Sequence, residues 1–215
     1  MILPPWQAEW LGGLALRGPE GVLLIDAPNT LRLPDDWATQ VRGVVLTSGR
    51  IDAISGLLRV LADATGPVHV LHGLHDDRTP ALLGLWAQTW RGAGVLADAA
   101  PPGTELDICG AELTLHPLAG AERISAEVRP ATTHGLHLRL PNHTIAYLPS
   151  ARASATANRL CADAHLAVIT VGARDWPRTD AVWRTRVDEA ARIGASAGEL
   201  WIVGDDGERW EGAVC

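Results

Sequence analysis

The stretch from Val44 to Leu61 constrains the fold most. Val44-Val45-Leu46-Thr47 is a continuous apolar run ending in a hydroxyl, and Ile51, Ile54, Leu57, Leu58 and Leu61 then recur at helical spacing. A strand without polar alternation has to be covered on both faces, as in parallel sheets whose crossover helices pack outside. The spacing predicts a helix over Ile51–Ala64, separated from its strand only by a short polar turn.

The same alternation recurs along the chain. Trp6–Arg17 and Gly21–Ile25 flank the turn composition Gly18-Pro19-Glu20, which predicts an opening β-hairpin. A short helix is expected from Pro34-Asp35-Asp36-Trp37 to near Val41, then a strand over Pro67–Leu71 and a helix over Thr79–Arg91. Gly94–Leu148 reads mostly as strand, with breaks at Pro101-Pro102-Gly103, Ala119-Gly120 and Pro141-Asn142. Helix Ser154–Ala162, strand Leu166–Val171, helix Thr179–Ile193 and strand Glu199–Val203 follow. Two strand-rich stretches with helices between and after them predict an α/β architecture. Two sheets, each covered by helices on its outer face, make a four-layer αββα sandwich over residues 1–215, read as one domain whose two halves resemble each other.

Composition removes several function classes. The 215 residues carry a net charge of -7 with no run of five or more like charges, so nucleic acid and anionic membrane surfaces are not expected partners. No apolar stretch approaches the roughly 20 residues that span a bilayer, and Met1-Ile2-Leu3-Pro4-Pro5-Trp6 is not a basic leader, which points to a cytoplasmic protein. All 18 cationic side chains are Arg, so neither a lysine Schiff base nor a P-loop lysine can form. Cys109, Cys161 and Cys215 stand far apart outside any CxxC spacing, which argues against a disulfide framework or a zinc ribbon. No G-x-S-x-G elbow supports nucleophilic catalysis, and neither Gly12-Gly13 nor Gly204-Asp205-Asp206-Gly207 has phosphate-loop spacing. The nine Trp sit mostly at apolar positions and read as core and packing surface.

Thr47-Ser48-Gly49-Arg50-Ile51-Asp52-Ala53-Ile54-Ser55-Gly56 resembles, in frame, the metal-binding signature T-H-x-H-x-D-H-x-x-G of the metallo-β-lactamase fold. Thr47, Asp52 and Gly56 are kept, while the three histidine positions hold Ser48, Arg50 and Ala53. Leu23-Leu24-Ile25-Asp26-Ala27 looks like the family's preceding strand and Asp. Thr144–Ser150 looks like its later strand, with Ser150 at the metal-bridging Asp position. Ala162–Ile169 and Glu199–Gly204 match its closing strands, after which Asp205 and Asp206 stand where a final His ligand is expected. From Val22 to Ala167 the chain is also similar to the pyrroloquinoline-quinone biosynthesis protein B branch, whose signature is degraded to a form like T-x-x-x-L-D-H-x-x-G-L-L. It departs from that branch in lacking an N-terminal cysteine cluster, in Ala53, and in its shorter length.

In such a fold the His and Asp side chains hold one or two zinc-like ions that supply a hydroxide nucleophile. Arg50 would place a permanent positive charge beside a dication, a repulsion on the order of several kcal/mol at an effective dielectric of about 20 and about 4 Å. His134 and His137 in Thr133-His134-Gly135-Leu136-His137 lie near the family's mid-chain His ligand, and three apart on a strand they face opposite sides. His134 is the candidate. His69, His72, His75, Asp76 and Asp77 share one strand-to-helix connection, which reads as a helix cap by Asp76 or Asp77. His116, His143 and His165 read as structural.

The resemblance therefore implies a hydrolase-like protein without the usual dinuclear metal site, with no cofactor expected. Its cleft is lined by Ser48, Arg50, Asp52, His134, Ser150 and Asp205 and takes a small anionic ligand in a binding or accessory role. The alternatives are a hydrolase with one zinc on Asp52, His134 and an acidic group such as Asp205, or an interaction protein that forms a homodimer through Trp-bearing helices.

Overall fold

The computed structural model describes residues 2–3, 5–74, 76–89, 94–118, 133–149, 153–171, 180–204 and 209–210. Among these, seven strands form a first sheet in chain order: β1 (Ile2–Leu3), β2 (Trp6–Trp10), β3 (Leu14–Gly18), β4 (Gly21–Ile25), β5 (Val41–Val45), β6 (Val68–Gly73) and β7 (Val95–Ala100). The second sheet runs, also in chain order, through β8 (Glu105–Ile108), β9 (Ala111–Leu118), β10 (Thr133–Leu140), β11 (His143–Leu148), β12 (Leu166–Thr170), β13 (Glu199–Val203) and β14 (Arg209–Trp210).

The two sheets repeat one plan. Antiparallel β2, β3 and β4 lead into parallel β4, β5 and β6, as antiparallel β9, β10 and β11 lead into parallel β11, β12 and β13. The short helices α1 (Asp35–Ala38), α2 (Ile51–Ile54), α3 (Leu57–Asp63) and the longer α4 (Arg78–Thr89) lie between strands of the first sheet. Helices α5 (Ala155–Ala162) and α6 (Asp180–Gly194) serve the second.

Three apolar layers follow from the alternation of the strands. Leu14, Leu23, Val45, Leu136, Tyr147 and Trp201 are buried between the sheets. Val44, Val70, Leu57, Leu61 and Trp37 form the layer under the first sheet's helices. Ala146, Ile169, Leu160, Cys161 and Ile193 form the layer under the second's. The result is the αββα sandwich expected from the sequence.

Local details differ from expectation for tertiary reasons. The opening hairpin is a three-stranded meander, because the run Trp6–Arg17 itself turns at Gly12, whose φ is +85°, with Leu11 N–H donating to the Gly13 carbonyl at 3.0 Å. The helix after Pro34 stops at Ala38 and not near Val41, since Val41 is a fully buried strand residue paired with Val22. The predicted Ile51–Ala64 helix is two helices: Gly56 N–H donates to the Ala27 carbonyl at 2.7 Å instead of continuing the first. Ile51, counted in the apolar stripe, is in consequence 77% exposed.

Candidate functional site

The parallel strands β4, β5 and β6 end at the same edge where β10 begins and β11 ends, and the residues just beyond them meet there. Asp26 follows β4 with φ +59°, the left-handed region that Asp tolerates better than most side chains. Its N–H donates to the Val45 carbonyl at 2.8 Å. Its carboxylate, in a residue only 6% exposed, accepts the Thr47 N–H at 2.8 Å and the Thr47 hydroxyl at 2.8 and 3.0 Å. The Tyr147 hydroxyl donates to it from the opposite sheet at 3.1 Å. A buried carboxylate is tolerated only when donors replace its water, and these groups do so.

Thr47 carries the connection onward. Its carbonyl accepts the His134 N–H at 2.9 Å and lies 3.4 Å from His134 Nδ1. A proton on Nδ1 serves that carbonyl and makes Nε2 the acceptor nitrogen of the ring. His134 is buried among the inward-facing residues of β10, with Leu136, Leu138 and Leu140, while His137 faces outward. The strand alternation thus separates the two histidines as predicted. Gly73 closes the other side of the ring: a Cβ there would stand 2.5 Å from His134 Cε1, so the end of β6 admits no side chain.

Asp76 caps α4. Its Oδ1 accepts the N–H groups of Arg78 and Thr79 at 3.0 and 3.2 Å, and the Thr79 hydroxyl donates to its other oxygen. The capping role read from the sequence therefore belongs to Asp76. The same carboxylate lies over Gly49, where a Cβ would collide with it, so the 47–50 turn is held between Asp76 and His134.

Of the candidates named from sequence, Ser48 is buried directly after Thr47, and His134 is brought to the same place. Arg50 is half-buried at the start of α2, with one guanidinium nitrogen shielded from solvent. The backbone of Asp52 lies in α2 while its side chain is outside the described residues, as are Ser150, Asp205 and His75. His72 is buried with Nδ1 3.1 Å from the Gly73 carbonyl, on the helix-covered face of β6, and His69 pairs with Asp98 at 2.7 Å near the surface. His116 and His137 lie on the outer face of the second sheet, where burial lowers the pKa of both. His165 Nδ1 accepts the Thr144 N–H at 3.1 Å, a structural role. A cavity of about 380 Å³ beside α1 and α3, lined by Arg32, Asp35, Arg59 and Asp63 among others, shares no residue with this cleft.

Sequence reasoning did not find Tyr147 as the partner of Asp26, nor Gly49 and Gly73 as points of close approach. Only the identity of the single Tyr, at an inward strand position, offered a signal for the first.

Among the described residues, those at the three histidine positions of the signature offer no ligand set for a dinuclear metal centre. Ser48 and Arg50 are poor or repulsive ligands, buried Ala53 has no donor, and the Asp26 carboxylate already accepts from Thr47 and Tyr147. Among the described residues, no three His, Cys, Asp or Glu side chains are grouped to hold an ion.

No family model matches the chain, and no curated protein matches it. Solved structures do. YhfI from Bacillus subtilis, a metallo-beta-lactamase fold protein, is 15% identical, with a TM-score of 0.60 over 88% of this chain and 76% of that one. Zn(2+)-bound PqqB from Methylobacterium extorquens is 19% identical, with a TM-score of 0.56 over 73% of this chain, which spans only 58% of PqqB. A mutant of the HARLDQ-motif metallo-beta-lactamase from Cronobacter sakazakii is 15% identical, with a TM-score of 0.50 over 95% and 78% of the two chains. At these identities the likeness speaks for architecture, and with the paired sheets, the helix layers and the strand-end cleft it shows that the chain has the metallo-β-lactamase fold.

Proposed function

We propose that this hydrolase-like protein has lost the usual dinuclear metal site and uses the cleft at the sandwich edge to bind a small anionic ligand, in a binding or accessory role in the cytoplasm. The observation that carries the reading is the turn Thr47-Ser48-Gly49-Arg50, pinned by Asp26, Asp76 and His134, with a hydroxyl and a guanidinium at positions where imidazoles would hold metal. Asp26 accepts from Thr47 and Tyr147, and Asp76 accepts from Arg78 and Thr79. Arg50 brings a permanent charge and up to five N–H donors in a planar fork suited to carboxylate or phosphate.

Metal analysis of untagged protein after zinc loading tests this reading, together with ester, thioester and phosphodiester hydrolysis assays. The expected outcome is substoichiometric zinc, indifferent to Asp52→Ala, and no turnover. Stoichiometric zinc that Asp52→Ala removes would overturn it.

That result would favour a second reading, a hydrolase with one zinc on Asp52, His134 and an acidic group such as Asp205. Its support is Asp52, the acidic position of the signature frame that this chain keeps, together with His134, buried at the same strand-end cleft.

A further inference from the structure

Resting on the anion-binding reading, we propose that the ligand is an amphiphile, an anionic head joined to an alkyl or acyl chain. Four large apolar side chains are strongly exposed among the described residues: Ile51, Leu74, Leu85 and Leu96. Two of them, Ile51 at 77% and Leu74 at 50%, belong to the two segments that meet where Asp76 lies over Gly49, Ile51 as the first residue of α2 and Leu74 in the turn after β6. Ile51 directly follows Arg50, and Leu74 directly follows Gly73, the residue packed on the His134 ring.

Neither side chain is placed there by disorder of its backbone. Leu74 N–H donates to the Ala100 carbonyl at 3.2 Å, and Asp76 N–H closes a turn onto the Gly73 carbonyl at 3.0 Å. Ile51 starts α2, with its carbonyl accepting Ser55 N–H at 2.8 Å. Isolated exposed leucines are ordinary on protein surfaces, but two exposed apolar side chains on the two ordered segments that meet beside Gly49 offer a place for a hydrocarbon chain. The head would sit toward Ser48 and Arg50, and the chain would cross the rim between Ile51 and Leu74. Removing each further methylene from water would tighten binding about two- to fourfold until the rim is covered.

Calorimetric titration of the full chain with inorganic phosphate, butyl phosphate, hexyl phosphate and octyl phosphate, below their micelle concentrations, tests the idea. Octyltrimethylammonium serves as the cationic control. The expected result is a stepwise gain in affinity with chain length that flattens in an Ile51→Ser, Leu74→Ser double variant, where binding of inorganic phosphate is retained. Both substitutions are at exposed positions and leave the core intact. Equal affinity for phosphate and octyl phosphate would overturn the inference and leave the anion reading standing. Equal binding of octyltrimethylammonium and indifference to Arg50→Ala would overturn the anion reading as well, and so would the absence of binding by any of the phosphates.

Discussion

Tyr147 donates its hydroxyl proton to Asp26 across 3.1 Å, joining the two sheets through residues 121 positions apart in the chain. The bond is buried and its acceptor is a carboxylate, so its loss is expected to cost about 1.5–3 kcal/mol. Tyr147→Phe should lower the urea midpoint accordingly with an unchanged m-value. Asp26→Ala should cost more, because Thr47 and Tyr147 are then left with unanswered donors. A Tyr147→Phe protein as stable as the parent would show that this bond does not tie the sheets together.

Gly73 and Gly49 make a paired prediction. Gly73→Ala drives a methyl into the His134 ring, which is held from behind by Thr47, and overpacking of this kind costs about 1–3 kcal/mol. Gly49→Ala instead strikes the Asp76 carboxylate, so the expected loss is that of the α4 cap, about 1 kcal/mol. In NMR spectra recorded at one fixed pH the imidazole signals of His134 should move in the first variant and stay in the second.

The outer face of the second sheet predicts an acid-sensitive element of stability. His116 is held below the ordinary 6.5 by burial, then by His137 and Arg159. His137 is lowered by burial and then by Arg139, with Asp163 opposing. Both histidines therefore bind protons less readily when folded than when unfolded. Their contribution is fully present above about pH 6.5 and is lost as the pH falls from there toward the lower folded values, below which it levels off. A His116→Gln, His137→Gln double variant should show a shallower loss of stability between pH 7 and pH 5 in thermal melts, and an unaltered slope would refute the assignment.

Burial pushes both described thiols up to about 11, with Glu20 adding to the effect at Cys109. Cys109 and Cys161 should therefore stay unmodified when native protein is treated with iodoacetamide near pH 7.5, and react after unfolding, as read by peptide mass mapping. Cys109 also occupies a turn with φ +57°, followed by Gly110 at +75°.

Much of the architecture was legible because each strand carries its own burial pattern. Thr133–Leu140 alternates, and the structure separates inward His134 from outward His137 as the alternation required. The cleft was legible only through the frame that links Thr47, Asp52 and Gly56. What escaped was the break at Gly56, since helical spacing cannot register a backbone bond to Ala27, and with it the exposure of Ile51.

The local chemistry of the chain determined by itself that there would be covered strands, helices between them, a serine and an arginine where the fold's metal ligands are expected, and no lysine anywhere. Periodicity and residue identity are properties of neighbours in sequence, so they can be read without a structure. That Asp26 would find Tyr147, that His134 would rest on Gly73, and that Asp76 would lie over Gly49 were decided only by the closed sandwich. Each of those pairs is set by how two distant strand ends or loops come to rest against each other, and no local pattern carries that distance.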